Sequence, residues 1–147
     1  NMNAVFYASK AVWNQMKRQQ FGRIINISSV HGLRASEFKT AYVAAKHGVV
    51  GMTKVLALEG APFNITCNAI CPGYVKTPLV EGQIIDQAKA HQMTKEDVVE
   101  KVMLKKQSVK QFVPVETIAN MALLLAKDTS TTITGTSFAL DGGWSAQ

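Results

Sequence analysis

The sequence predicts an α/β fold in which a parallel sheet carries helices on its faces. Short β-branched runs alternate with helical stripes in the order helix, strand, helix, strand, excursion, helix, strand, and this order implies right-handed crossovers between parallel strands. The composition agrees: over 147 residues, 47% are hydrophobic and 18% charged, enough apolar surface for a core and too little charge for a disordered chain. A chain of this length holds about one domain.

The elements follow in turn. Ala4, Val5, Ala8, Ala11, Val12, Gln15 and Met16 recur at three- and four-residue intervals, so a helix is expected to run to about residue 19, ending in the polar run before Phe21-Gly22. Arg23 to Ser28 is a β-branched run between a glycine and a serine pair, a mostly buried strand. A loop from Ser29 to about Lys39 leads to the longest helical pattern, Thr40 to Glu59. Its apolar residues spread widely enough to predict burial on more than one side, and Gly48 and Gly51 would admit another backbone. Gly60-Ala61-Pro62 ends that helix, and Asn64 to Cys71 is a second buried strand stopped by Pro72-Gly73. Polar, weakly periodic segments at 80–91 and 95–106 predict two helices that lie over a cleft as a lid, approximately residues 80–110. Val115 to Lys127 forms a further helix, and Ser137 to Leu140 a last strand before Asp141-Gly142-Gly143-Trp144. Three strands make a small sheet with one flank open.

Charge and cysteine content narrow the function classes. Sixteen Lys and Arg against ten Asp and Glu give a net charge of +6. The cations are scattered, however, and the densest stretch, Lys89 to Lys110, is interleaved with Glu96, Asp97 and Glu100, a solvated helix surface and no nucleic-acid face. A site for a small anion stays open. No apolar run reaches the length of a membrane span and the first thirty residues hold no secretory pattern, so a cytoplasmic chain without a membrane partner is expected. Cys67 and Cys71 would share one strand face about 13 Å apart, too far for a mutual disulfide, and are expected as small buried hydrophobes. No His or Cys cluster has metal-ligand spacing, and no metal is assigned.

In open parallel sheets ligands bind beyond the carboxyl ends of the strands, which directs attention to the loops after Ile27, Cys71 and Leu140. Tyr42 and Lys46 stand four apart on one helix face, bringing an ammonium near a phenol and suiting the tyrosine to exchange a proton with an alcohol or carbonyl. Ser29, at the end of the adjacent strand, can hydrogen-bond the same oxygen.

Ser29 at a strand end, Tyr42-Val43-Ala44-Ala45-Lys46-His47-Gly48 opening a helix, Asn68-Ala69-Ile70-Cys71-Pro72-Gly73 with Thr77, and Ile133-Thr134-Gly135-Thr136 with Asp141-Gly142-Gly143 together resemble the short-chain dehydrogenase/reductase family along the whole chain. The resemblance implies a Rossmann-type fold, a parallel sheet with helices on both faces, binding NAD(H) or NADP(H). It implies Tyr42 as proton donor or acceptor, Ser29 polarising the substrate oxygen, Lys46 on the nicotinamide ribose, and Asn1 completing a proton relay with that lysine. Pro72, Gly73, Val75 and Thr77 match the loop that meets the nicotinamide, beside Tyr42 and Lys46 as cofactor-binding residues. Ser29-Val30-His31-Gly32-Leu33, Lys39, Pro78-Leu79-Val80-Glu81 with Gln83, and Trp144 look like the D-3-hydroxybutyrate dehydrogenase branch. That likeness implies that Ser29, His31, Lys39, Tyr42, Gln83 and Trp144 contact a small hydroxy acid or keto acid and that the cofactor is NAD, with Lys39 as a point charge on the carboxylate and His31 and Gln83 as directional hydrogen bonds to it. Tyr74 departs from that pattern, which has Trp after Pro-Gly.

Other members of the family reduce other carbonyls, 3-oxoacyl carrier-protein among them, and that reading requires neither Lys39 nor His31. A third reading is a non-catalytic fragment, because no Thr-Gly-x-x-x-Gly-x-Gly or Gly-x-Gly-x-x-Gly turn to cradle a pyrophosphate occurs in the chain. The start inside a helix and the motif order lead us to expect residues 1–147 to be the C-terminal catalytic part of a single domain of roughly 250 residues. The resemblance also implies a homotetramer at full length, joined through the Tyr-bearing helix.

Overall fold

A computed structural model describes residues 2–147, so the relay position assigned to Asn1 lies outside the described residues. The chain runs α1 (Met2–Gln19), β1 (Gly22–Ile27), α2 (Thr40–Gly60), β2 (Ile65–Pro72), α3 (Pro78–His91), α4 (Lys95–Asp97), α5 (Val115–Ala126) and β3 (Ser137–Leu140). The sheet order is β1-β2-β3 and both pairings are parallel, with Gly22 opposite Ile65 through Ile27 opposite Ile70, and Ala69 opposite Ser137 through Pro72 opposite Leu140.

β2 lies in the centre and all eight of its residues are buried, which is why it reads as a continuous run without polar alternation. β1 alternates. Gly22, Ile24 and Asn26 are buried, and Ile24 joins Ala57, Ile65 and Cys67 in a core completed by Trp13, Met16, Leu56 and Phe63 from the α1 and α2 side. On the opposite face Arg23 reaches the carbonyls of Lys127 and Asp128 at the end of α5, at 3.4 Å each. Helices therefore cover both faces of the sheet. Two buried polar side chains on the α2 side satisfy each other: Asn26 donates to Thr53 Oγ1 at 2.9 Å, and Thr53 donates to the Val49 carbonyl at 2.8 Å. Asn68 ties β2 to the segment before β3, donating to the Ile133 carbonyl at 2.6 Å and accepting from the Thr136 N–H at 3.2 Å.

Three expectations need correction. The buried stripe of α2 is a single face, Val49, Val50, Thr53, Ala57 and Gly60, while Val55 and Leu58 are exposed. Within this chain no second backbone comes close to either glycine: a Cβ on Gly48 would meet the Met2 side chain, and one on Gly51 open space. The expected helix 95–106 is α-helical only over Lys95–Asp97 and then winds as a π-helix over Val98–Met103. The wider turn has a packing cause. Val98 and Met103 are five apart and both enter a small separate core with Ile84, and the Leu104 N–H donates to the Val99 carbonyl at 2.8 Å with the same five-residue reach.

Candidate active site

The carboxyl end of β1 is stitched to the first turns of α2. Ser28 is buried and its hydroxyl donates to the Lys46 carbonyl at 3.0 Å. The following turn can pass this close only as glycine: a Cβ on Gly32 would lie 2.5 Å from Ser28 Oγ and 2.9 Å from the Lys46 carbonyl. Ser29 caps that turn, its Oγ accepting the His31 N–H at 3.2 Å. Accepting this bond occupies a lone pair and leaves the Ser29 O–H free to donate into the cavity.

Tyr42 and Lys46 follow on α2. The Lys46 ammonium lies 5.7 Å from the centre of the Tyr42 ring and donates to the Ile27 carbonyl at 2.9 Å, which holds it at the strand end with two N–H donors to spare. Burial lowers the Lys46 pKa from its ordinary value. His31 Nδ1 faces the Arg34 carbonyl at 3.4 Å, so that nitrogen carries the proton and Nε2 accepts from Lys39 Nζ, also at 3.4 Å. The His31 pKa is lowered, first by burial and then by the Lys39 ammonium. Beneath them Cys71 is buried at the end of β2, its thiol pushed up by that burial.

The far wall is aromatic. Trp144 stands edge-on to His31 at 5.2 Å and stacks on Tyr74 at 6.1 Å and 22°. Asp141 pins the turn that carries this tryptophan, one carboxylate oxygen accepting the Gly143 N–H at 3.0 Å and the other the Ser145 N–H at 2.9 Å. Arg34 holds the same turn from the opposite side, donating to the Ser145 carbonyl at 2.7 Å and the Gln147 carbonyl at 3.0 Å. Thr77 caps α3, accepting the Val80 N–H at 3.4 Å, and so sets the direction in which Gln83 projects.

These elements enclose a cavity of about 860 Å³, within the range of roughly 300–1,000 Å³ usual for small-molecule sites. Ser29, His31, Lys39, Tyr42, Lys46, Pro72, Gly73, Val75, Thr77, Gln83 and Trp144 all line it, so every site residue expected from the sequence, Asn1 aside, meets in one place. None of the described residues lining it is an Asp or Glu. Sequence reasoning missed Asp141, Arg34 and Phe38 as parts of this site. An Asp before two glycines signals a side-chain turn and would have found the first. Arg34 acts across 111 residues and carries no local signal. Phe38, fully exposed at φ 61°, lines the cavity from the loop before α2.

A family model described as enoyl-(acyl carrier protein) reductase matches residues 1–145. The chain belongs to the short-chain dehydrogenase/reductase family. It is 54% identical to the D-beta-hydroxybutyrate dehydrogenase of Rhizobium meliloti (strain 1021) over 147 residues, all of this chain and 57% of that protein. It is 36% identical over 143 residues to the acetoacetyl-CoA reductase of the same organism, covering 97% of this chain and 55% of the relative. An actinorhodin polyketide ketoreductase (F189W) solved with NADPH superposes with a TM-score of 0.90 at 30% identity, over 99% of this chain and 56% of the other. The chain thus spans little more than half the length of the relatives it matches, and its sheet is part of a Rossmann-type fold.

The residues present fit one end of a nicotinamide cofactor of this short-chain dehydrogenase/reductase. Lys46 keeps free donors at the strand end, and Pro72 and Gly73 line the same cavity beside it. Thr77 and Val75 continue that wall.

Proposed function

We propose that the full-length protein interconverts D-3-hydroxybutyrate and acetoacetate, with NAD as its redox partner. The observation that carries this reading is the meeting, in one cavity with no carboxylate among its described lining residues, of Ser29, Tyr42 and Lys46 with Lys39, His31 and Gln83. A substrate that is an anion at one end and an alcohol at the other spans the two sets. A bound nicotinamide supplies the hydride acceptor in oxidation and the donor in reduction.

The chain's own residues do the rest. Lys39 attracts the carboxylate with donors not spent on His31, and Gln83 adds a directional N–H. His31 presents a lone pair at Nε2 and donates there only once it gains a proton. Ser29 gives its O–H to the substrate oxygen, while Tyr42 takes the hydroxyl proton as the carbonyl forms and returns it in the reverse direction. Lys46 supplies positive charge beside the phenol as it gives up or regains that proton. Tyr74 and Trp144 close the apolar end and exclude water. The 54% identity to a D-beta-hydroxybutyrate dehydrogenase supports this substrate, and a homotetramer in the cytoplasm comes with the family reading.

A panel of 3-hydroxybutyrate, acetoacetate, acetoacetyl-CoA and other 3-oxoacyl thioesters, each with NAD(H) and NADP(H), tests it in the full-length protein. We expect the free acids with NAD(H) to be preferred, and Tyr42→Phe to lower kcat about 10²–10⁴-fold while cofactor binding persists. Preference for thioesters, or near-normal turnover by Tyr42→Phe, overturns the reading.

A further inference from the structure

Gln107 lies between the π-helical segment and α5, only 1% exposed, and it is the one long polar side chain among the largest fully buried ones in the described residues. Its amide makes three hydrogen bonds to two backbone segments. Oε1 accepts the Tyr74 N–H at 3.1 Å, and Nε2 donates to the carbonyls of Val109 at 3.3 Å and Gln111 at 3.0 Å. Two glycines make room for it. A Cβ on Gly73 would lie 2.7 Å from Oε1, and a Cβ on Gly142 would lie 2.8 Å from Nε2, at a φ of +61° that itself favours glycine. The amide is thus wedged between the turn that presents Tyr74 and the turn that presents Trp144.

We propose that Gln107 is a positioning residue that sets the spacing of the Tyr74 and Trp144 walls and thereby the size of substrate the cavity accepts. The proposal rests on the hydroxy-acid reading for what fills the cavity, and on geometry alone for how the walls are held. Backbone bonds flank the wedge without replacing it: the Val109 N–H donates to the Gly142 carbonyl at 2.9 Å and the Val113 N–H to the Tyr74 carbonyl at 2.8 Å. These tie residues 109–113 to each turn separately, the Gly73 N–H joins the two turns at their base by donating to the Leu140 carbonyl at 2.9 Å, and Tyr74 and Trp144 stack across them. Gln107 is the buried polar side chain that packs against both turns beyond that base. An apolar side chain of the same length fills the space but leaves the Tyr74 N–H and the two carbonyls without this partner. A glutamate keeps the acceptor but faces two carbonyls with a negative charge, and regains a donor only when protonated; the Lys110 ammonium, the cation beside it, is held on the carbonyls of Leu104, Lys105 and Gln107.

The test uses Gln107→Met and Gln107→Glu in the full-length protein, with 3-hydroxybutyrate, 3-hydroxypentanoate and 3-hydroxyhexanoate as substrates. Gln107→Met should raise KM for the four-carbon acid about tenfold with little change in kcat, and reduce its preference over the six-carbon acid by a similar factor. Gln107→Glu should resemble it at about pH 8 and recover toward wild type at about pH 6, each relative to wild type at the same pH. Unchanged KM and chain-length preference, or a fall in kcat alone, overturns the proposal, and if Gln107→Met does not fold the two-pH comparison on Gln107→Glu decides. Should the wild type prove inactive on all three acids, the substrate reading fails by itself. The near-ultraviolet circular dichroism that Trp144→Phe removes then decides for Gln107: its loss in Gln107→Glu at about pH 8 supports the wedge, and its retention overturns it.

Discussion

Replacing Lys39 by Met removes one positive charge from the carboxylate end of the cavity while keeping most of the apolar stem. The lysine is exposed and its ammonium lies 3.4 Å from His31 Nε2, so a substrate carboxylate would share it with a neutral acceptor and with no competing acid among the described lining residues. Two charges about 4 Å apart attract by about 4 kcal/mol at an effective dielectric of about 20, before desolvation is subtracted. Exposed ion pairs keep about 0.2–1 kcal/mol of such attraction, and hydrogen bonds to charged groups about 1.5–3 kcal/mol. A partly walled cavity lies between these limits, at about 1.4–2 kcal/mol, which corresponds to a rise in KM of about 10–30-fold. Initial rates with 3-hydroxybutyrate and with its uncharged amide give the measurement. The acid should show the rise and the amide less than about a twofold change. Equal effects on both would refute a carboxylate role for Lys39, because the lost interaction would then be independent of substrate charge.

Other outcomes follow from the same geometry. Gly32→Ala drives a Cβ to within 2.5 Å of Ser28 Oγ, and separating β1 from α2 there should cost about 1–3 kcal/mol. Thermal melting and kcat should fall together, and an unaltered melting curve would show that the turn yields freely. His31 titrates below its ordinary 6.5 in the folded protein, chiefly through burial and then through Lys39. The unfolded chain therefore binds more protons between the two values, and this contribution to stability, fully present above about pH 6.5, is lost as pH falls through the folded value. Melting temperatures measured from about pH 7.5 to about pH 5 should decline, less steeply in His31→Gln, and parallel curves would dismiss the histidine. Burial pushes the Cys67 thiol to about 12 and raises that of Cys71. Both should resist a thiol reagent until denaturant is added, and rapid native labelling of Cys71 would mean that the sheet opens beneath the site.

The alternation of strands and helices was legible because burial imposes it directly: a strand buried on both faces, such as Ile65 to Pro72, has no polar alternation to offer. The residues that line the cavity were legible where they stand close in sequence, Ser29 and His31 just after β1 and Tyr42 and Lys46 at the start of α2. What stayed hidden acts across the chain. The single-sided burial of α2 and the π-helical winding at Val98 to Met103 depend on what those segments pack against, which periodicity alone does not record. Gln107 reads as an ordinary polar residue in a charged stretch, and only the two glycines it wedges apart, 34 and 35 positions away, disclose its place.

The helical segment after β2 has a small core of its own, Ile84, Val98 and Met103, separate from the cores beneath α2. It is inserted between β2 and β3, whose pairing brings Pro72 opposite Leu140 whatever the intervening chain does. Closing a longer loop costs only about 0.6 kcal/mol per doubling of length. The part of the cavity wall that this segment supplies, Leu79, Val80 and Gln83, is therefore a cassette: it can be lengthened, shortened or exchanged while Ser29, His31, Lys39, Tyr42 and Lys46 stay fixed on α2 and the loop that follows β1. Grafting residues 78–113 from a relative with another substrate is the natural way to redirect this scaffold.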